Sequence, residues 1–144
     1  MDFLSIAIIL FIILETSNVV ILYFKPGSKL GNGVAAFNGW EESKKDPAMH
    51  EFIKYLVYWV AGTKLIFIVL LVVILLTGSP ATKLLSVVAL ILSILSFYWK
   101  LYPIIRKLDK GGNINPQGYS KPLGLMIASF IIVFLLTLIL SFVF

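Results

Sequence analysis

Residues 3–24 read FLSIAIILFIILETSNVVILYF, an almost wholly aliphatic and aromatic stretch broken near its middle by one polar patch, Glu15-Thr16-Ser17-Asn18. As a helix rising 1.5 Å per residue, a run of this length covers about 30 Å, the hydrocarbon thickness of a bilayer. Lys25, Pro26 and Gly27 end it. Asp2 stands where a signal peptide would carry basic residues, and no small-residue cleavage site follows, so the segment reads as a retained first span.

The same reading extends down the chain. Asp46 followed by Pro47 is an N-cap and first-turn signal, and the apolar pattern then runs from about Phe52 to Leu76 before Thr77 and Gly78 break it. Ser79 and Pro80 repeat the start signal for a third helix, which carries Arg106 and Lys107 near its C-terminal end and Gly111-Gly112 beyond. Ser120, Lys121 and Pro122 open a fourth. The expected fold is an all-α integral membrane protein, with four transmembrane helices at about 3–24, 48–77, 80–107 and 121–144 paired as two antiparallel hairpins. A single domain covers 1–144, with polar loops 25–46 and 106–120 on one face.

Composition supports this class. The chain is 60% hydrophobic and 13% charged, with a mean hydropathy of +1.01, far more apolar than a soluble domain. It has no cysteine and one histidine, which excludes disulfides and thiol redox chemistry and leaves no ligand set for zinc or an iron–sulfur cluster. No metal or cofactor is expected. The net charge of +5 belongs to residues beside the spans, so it points to anionic lipid headgroups as partners and not to nucleic acid.

The charge also orients the chain. Lys25, Lys29, Lys44, Lys45, Lys54, Lys100, Arg106, Lys107, Lys110 and Lys121 fall on the long-loop face, and only Lys83 on the other. The positive-inside rule makes the loop face cytoplasmic in a plasma or inner membrane, with both termini outside. Tyr23, Phe24, Tyr55, Tyr58, Trp59, Tyr98, Trp99 and Tyr102 form an aromatic belt at that interface. Between the first two spans, Val34, Phe37 and Trp40 recur at intervals of three. Residues 33–42 are therefore either a short interfacial segment dipping into headgroups or an irregular loop whose Trp40 packs on helix ends.

Glu15 is the residue that most needs an explanation, because an ionised carboxylate inside a bilayer must have a partner or water. Asn18, three residues on, shares its helix face. Lys64 is the second charge inside a span. Glu15 and Lys64 each lie 13 residues in from the termini-side ends of neighbouring helices, about 20 Å deep. The matched depth predicts an ion pair, with Asn18 or Thr63 adding hydrogen bonds and with Ala61 and Gly62 allowing close approach. Such a pair reads either as a buried clasp fixing helix register or as a protonatable, ion-coordinating site.

On the third helix Ser86, Ala89, Ser93, Ser96 and Lys100 fall within about 80° of one another at helical spacing. This line either packs closely or borders a wet path, which adds Ser93 and Ser96 to the candidate substrate or ion site of Glu15, Asn18, Thr63 and Lys64. Lys100, Arg106, Lys107 and Lys110 are candidates for gripping anionic headgroups. Gly124 and Ala128 make a small-xxx-small step on helix four. His50 and Glu51 read as solvated residues, and Gly27, Gly31 and Gly33 lack the strand and Lys-Ser/Thr pair of a phosphate loop. No catalytic motif points to an enzyme.

A glutamate near position 15 in the first of four short helices resembles the small multidrug-resistance transporters, in which that carboxylate exchanges protons for cationic drugs. Leu14, the long loops and Lys64 depart from the family's pattern, and membership is not assigned on one residue. Three readings follow: a transporter or channel-type protein acting as a homo-oligomer, an accessory subunit held by a partner membrane subunit, and a lipid-binding membrane protein.

Overall fold

A computed structural model of the chain describes residues 2–29 and 34–143, so Gly31, Gly33 and the last residue of the expected fourth span lie outside it. Four helical stretches are long and apolar enough to cross a membrane: Phe3–Phe24, Pro47–Thr77, Pro80–Lys110 and Ser120–Val143. This is an all-α, multi-pass membrane protein.

Local chemistry sets the ends of each helix. α1 (Phe3–Phe24) is capped by Asp2, whose carboxylate accepts from Ser5 N–H at 2.7 Å and Ser5 Oγ–H at 2.8 Å. A 3₁₀ turn (Val34–Ala36) and α2 (Asn38–Ser43) occupy the first long loop. α3 (Pro47–Thr77) starts at Asp46, which accepts from Ala48 and Met49 N–H, with Pro47 in the first turn where no donor is needed. α4 (Pro80–Ser96) repeats this device with Ser79 and Pro80.

The third span is not one regular helix. A π-turn (Phe97–Leu101) separates α4 from α5 (Tyr102–Lys110), and Tyr102 N–H reaches back five residues to Phe97 O. The wide turn directly precedes Pro103, which has no N–H to give the helical ladder. One extra residue in a turn rotates everything after it by about 100°. The line expected from Ser86 through Lys100 therefore loses its phase before Lys100. α5 ends in a Schellman arrangement, with Gly112 at φ +72° and Asn113 N–H on Leu108 O, and α6 (Ser120–Val143) follows.

α1 is central. Phe11, Glu15 and Tyr23 meet Phe67, Lys64 and Tyr58 of α3, so the contacts run in opposite sequence order along the two helices. The inward positions of α1 include 4, 8, 11, 15, 18 and 22, with buried Ala7 and Val19 beside that line, and those of α3 are 57, 61, 64, 68 and 71. Both series alternate steps of three and four, the spacing of a seam between helices crossing at a shallow angle. Toward its N-terminal end α1 shares one core with α3, α4 and α6, where Leu4, Ile8 and Phe11 meet Leu71, Val87, Leu90 and Phe134.

The two long loops are tied to each other. Asn38 N–H donates to Asn113 O, Asn115 N–H to Ala36 O, and Asn38 Nδ2 to Gly112 O, above a small core of Ala36, Ile105, Ile114 and Leu123. Segment 33–42, where described, is this docking unit and not a row of side chains reaching into headgroups. Trp40 is buried against the His50 ring, with centroids 4.7 Å apart, while Val34 and Phe37 pack on the cores below. His50 is accordingly not a free surface residue, for its Nδ1 lies 2.8 Å from Ser43 Oγ.

Candidate functional site

Seam geometry brings the intramembrane charges together. Positions 15 and 18 of α1 and 64 of α3 are inward steps of their helices, so the backbone alone directs Glu15, Asn18 and Lys64 at one another. Lys64 Nζ lies 2.6 Å from Glu15 Oε2 and 3.1 Å from Asn18 Oδ1, and it donates to both. Fully buried Ala61, one turn from Lys64, lets the helices approach, and Gly62 lies beside the Tyr23 hydroxyl.

Thr63 does not join the group. Its hydroxyl donates to Trp59 O, one turn earlier on its own helix, as Ser17 does to Ile13 O. An exposed threonine at position 63 points away from the seam that 61 and 64 share, so the local carbonyl is its nearest acceptor.

The group is not sealed. The side chains of Glu15 and Lys64 retain 18% and 24% of their exposure. Lys64 borders two clefts. One, of about 520 Å³, opens between α3 and α4 and is lined by Trp59, Val60, Thr63, Lys64, Phe67 and Ser93. The other, of about 300 Å³, is wholly apolar apart from Lys64 and lies toward Leu22 and Val34. Ser93 thus reaches the same cleft as Lys64. Ser96 lies outside that lining, and its hydroxyl donates to Ser93 O at 2.6 Å.

The headgroup candidates divide as well. Arg106, Lys107 and Lys110 line adjoining clefts at the loop-face end of α5, whereas Lys100, on the π-turn, lies over the Trp99 ring at 5.3 Å. Sequence reading missed Tyr102 and Lys121 there, because α6 supplies one and the π-turn orients the other. It also missed a latch at the far end, where Lys83 Nζ lies 2.9 Å from Ser5 Oγ and 3.6 Å from Asp2 Oδ2. The Ser5 backbone N–H on its carboxylate, followed by the Ser5 hydroxyl and the Lys83 charge, holds the Asp2 carboxyl below the usual aspartate range. The sequence signal was present: Lys83 is the only basic residue at that end.

Among the described residues no three His, Asp or Glu side chains cluster as metal ligands would. The chain matches no protein-family model, and comparison with curated proteins and with solved structures finds no significant match.

Proposed function

We propose that this multi-pass membrane protein is a small transporter or channel-type protein acting as an oligomer, with Glu15, Asn18 and Lys64 as its substrate or ion site. The supporting observation is the cleft between α3 and α4, which leaves Lys64 accessible at mid-membrane depth with the Thr63 and Ser93 hydroxyls at its edge. A pair that served only to fix register would do so equally well if sealed. A proton delivered to Glu15 would discharge its carboxylate and free the Lys64 ammonium for an anionic group in the cleft, and loss of that proton would restore the pair. The cleft is open toward lipid, and a second copy packed there would complete its wall. By the charge distribution, the loop face is cytoplasmic.

The test is proton flux into proteoliposomes holding a trapped pH dye, under an imposed potassium diffusion potential. Wild-type protein should acidify the lumen faster than empty vesicles, and Glu15→Gln, which keeps an oxygen acceptor for Lys64 and so loses less stability than an apolar replacement, should abolish the difference in the fraction that is folded. Unchanged flux in Glu15→Gln would overturn the reading. So would a silent wild type combined with full stability when Glu15→Leu and Lys64→Met are introduced together, which is the signature of a clasp.

A further inference from the structure

Seven carboxylate side chains face twelve basic ones in this chain, and the structure shows how most of the seven are engaged. Glu15, Glu41 and Glu51 pair with Lys64, Lys44 and Lys54, Asp2 with Ser5 and Lys83, and Asp46 caps α3. Asp109 is buried and turned toward the loop backbone, accepting from Gly118 N–H at 2.7 Å and Ser120 N–H at 2.9 Å. Among the described residues, none forms a salt bridge with Arg106, Lys107, Lys110 or Lys121. Those four line two adjoining clefts of about 450 and 550 Å³, which share Tyr102, Arg106 and Lys110.

The clefts are shaped by packing and not by charge. Tyr102 lies so close to α6 that a Cβ on Gly124 would sit 2.8 Å from its ring, and Tyr98 Oη donates to Gly124 O at 2.6 Å. The guanidinium of Arg106, the only arginine in the sequence, stands 5.9 Å from the Tyr102 ring. The result is a planar donor fork over a fixed aromatic, with Lys110 and Lys121 beside it and Gln117 adding a neutral donor, and the one carboxylate in the lining, Asp109, is taken up by the Gly118 and Ser120 amides. That set suits a phosphate group, whose oxygens accept from a guanidinium two at a time. One of the clefts continues along Tyr98 and Pro103, an apolar flank that a soluble phosphate does not need and an acyl chain does.

We infer that this cleft, centred on Arg106 with Lys110 and Lys121, is a binding site for the phosphate of an anionic phospholipid at the loop-face membrane surface. The site is separate from the Glu15–Lys64 group and stands or falls independently of it.

A unique arginine allows a direct test on purified full-length protein in a neutral detergent. Dioctanoyl phosphatidylglycerol should slow modification of Arg106 by phenylglyoxal by about fivefold or more, and dioctanoyl phosphatidylcholine should not. In native mass spectrometry, Arg106→Gln with Lys110→Gln should weaken phosphatidylglycerol binding by about tenfold. Lys25→Gln with Lys45→Gln removes the same charge outside the cleft and should change it less than about twofold. Equal losses in the two double variants, or no protection of Arg106, would overturn the site. Protection by inorganic phosphate at the same concentration as the lipid would make free phosphate the ligand and overturn the lipid assignment. The protection measurement uses wild-type protein, so it holds even if the double variant misfolds.

Discussion

Lys64 Nζ on α3 reaches 2.6 Å from Glu15 Oε2 on α1, with Asn18 as the second acceptor. Removing one partner strands the other charge between two helices, which costs about 3–5 kcal/mol, while replacing both with apolar residues of similar size is commonly neutral or stabilising. Lys64→Met is therefore expected to lower the thermal midpoint sharply. Lys64→Met with Glu15→Leu should recover it, as read by tryptophan fluorescence of the detergent-solubilised protein.

Gly124 admits Tyr102. An added methyl would meet the Tyr102 ring at 2.8–3.0 Å, so Gly124→Ala must displace the ring or separate α5 from α6. Overpacking of this kind costs about 1–3 kcal/mol. Ala128→Gly, at the next small position, removes a methyl without a clash and should cost about 1 kcal/mol through helix propensity alone. Thermal melts of the two variants would rank them in that order.

Asp2 links acidity to stability. Its carboxyl is held below the usual aspartate range in the folded chain, first by the Ser5 backbone N–H, so the unfolded chain takes up the proton at higher pH than the folded one. The contribution is fully present above the unfolded value and is lost as pH falls through the folded one. The stability advantage of wild type over Asp2→Asn should hold at about pH 6 and shrink toward about pH 3, measured by paired melts. An advantage independent of pH would refute the link.

Asp109 ties the end of the third span to the start of the fourth through two loop amides. Asp109→Ala should speed hydrogen exchange at Gly118 and Ser120 and lower the thermal midpoint, with exchange at Leu71 and Val87 in the core unaffected.

The middle two spans were legible because each start carries a local device, Asp46-Pro47 or Ser79-Pro80, that acts without tertiary help. Glu15 and Lys64 could be matched by depth because helical rise is constant. The π-turn was harder to see. The reading ran straight through Pro103, and even that residue leaves the outcome open, since a kink, a break and a wide turn all answer a missing N–H; the wide turn is what moves Lys100 out of line with Ser93. Trp40 was ambiguous, and His50 was read as solvated, for a different reason. The burial of Trp40 and the partial shielding of His50 depend on contacts between α2 and α3, and no short-range pattern encodes that meeting. The loop-face cleft needed Lys121 from α6 beside Arg106 from α5, a juxtaposition made by chain reversal through residues 111–119.

The seam between α1 and α3 also bears on how the chain enters a bilayer during synthesis. A lone lysine at the centre of a span costs about 2.5–3.5 kcal/mol on insertion scales, and a lone carboxylate is comparably unwelcome. Each loses most of that penalty only when the other arrives. The first helix, completed some forty residues before Lys64 emerges, is thus expected to linger at the translocon and to pass into lipid together with its partner. Translation and partitioning would then be coupled through one hydrogen-bonded charge pair.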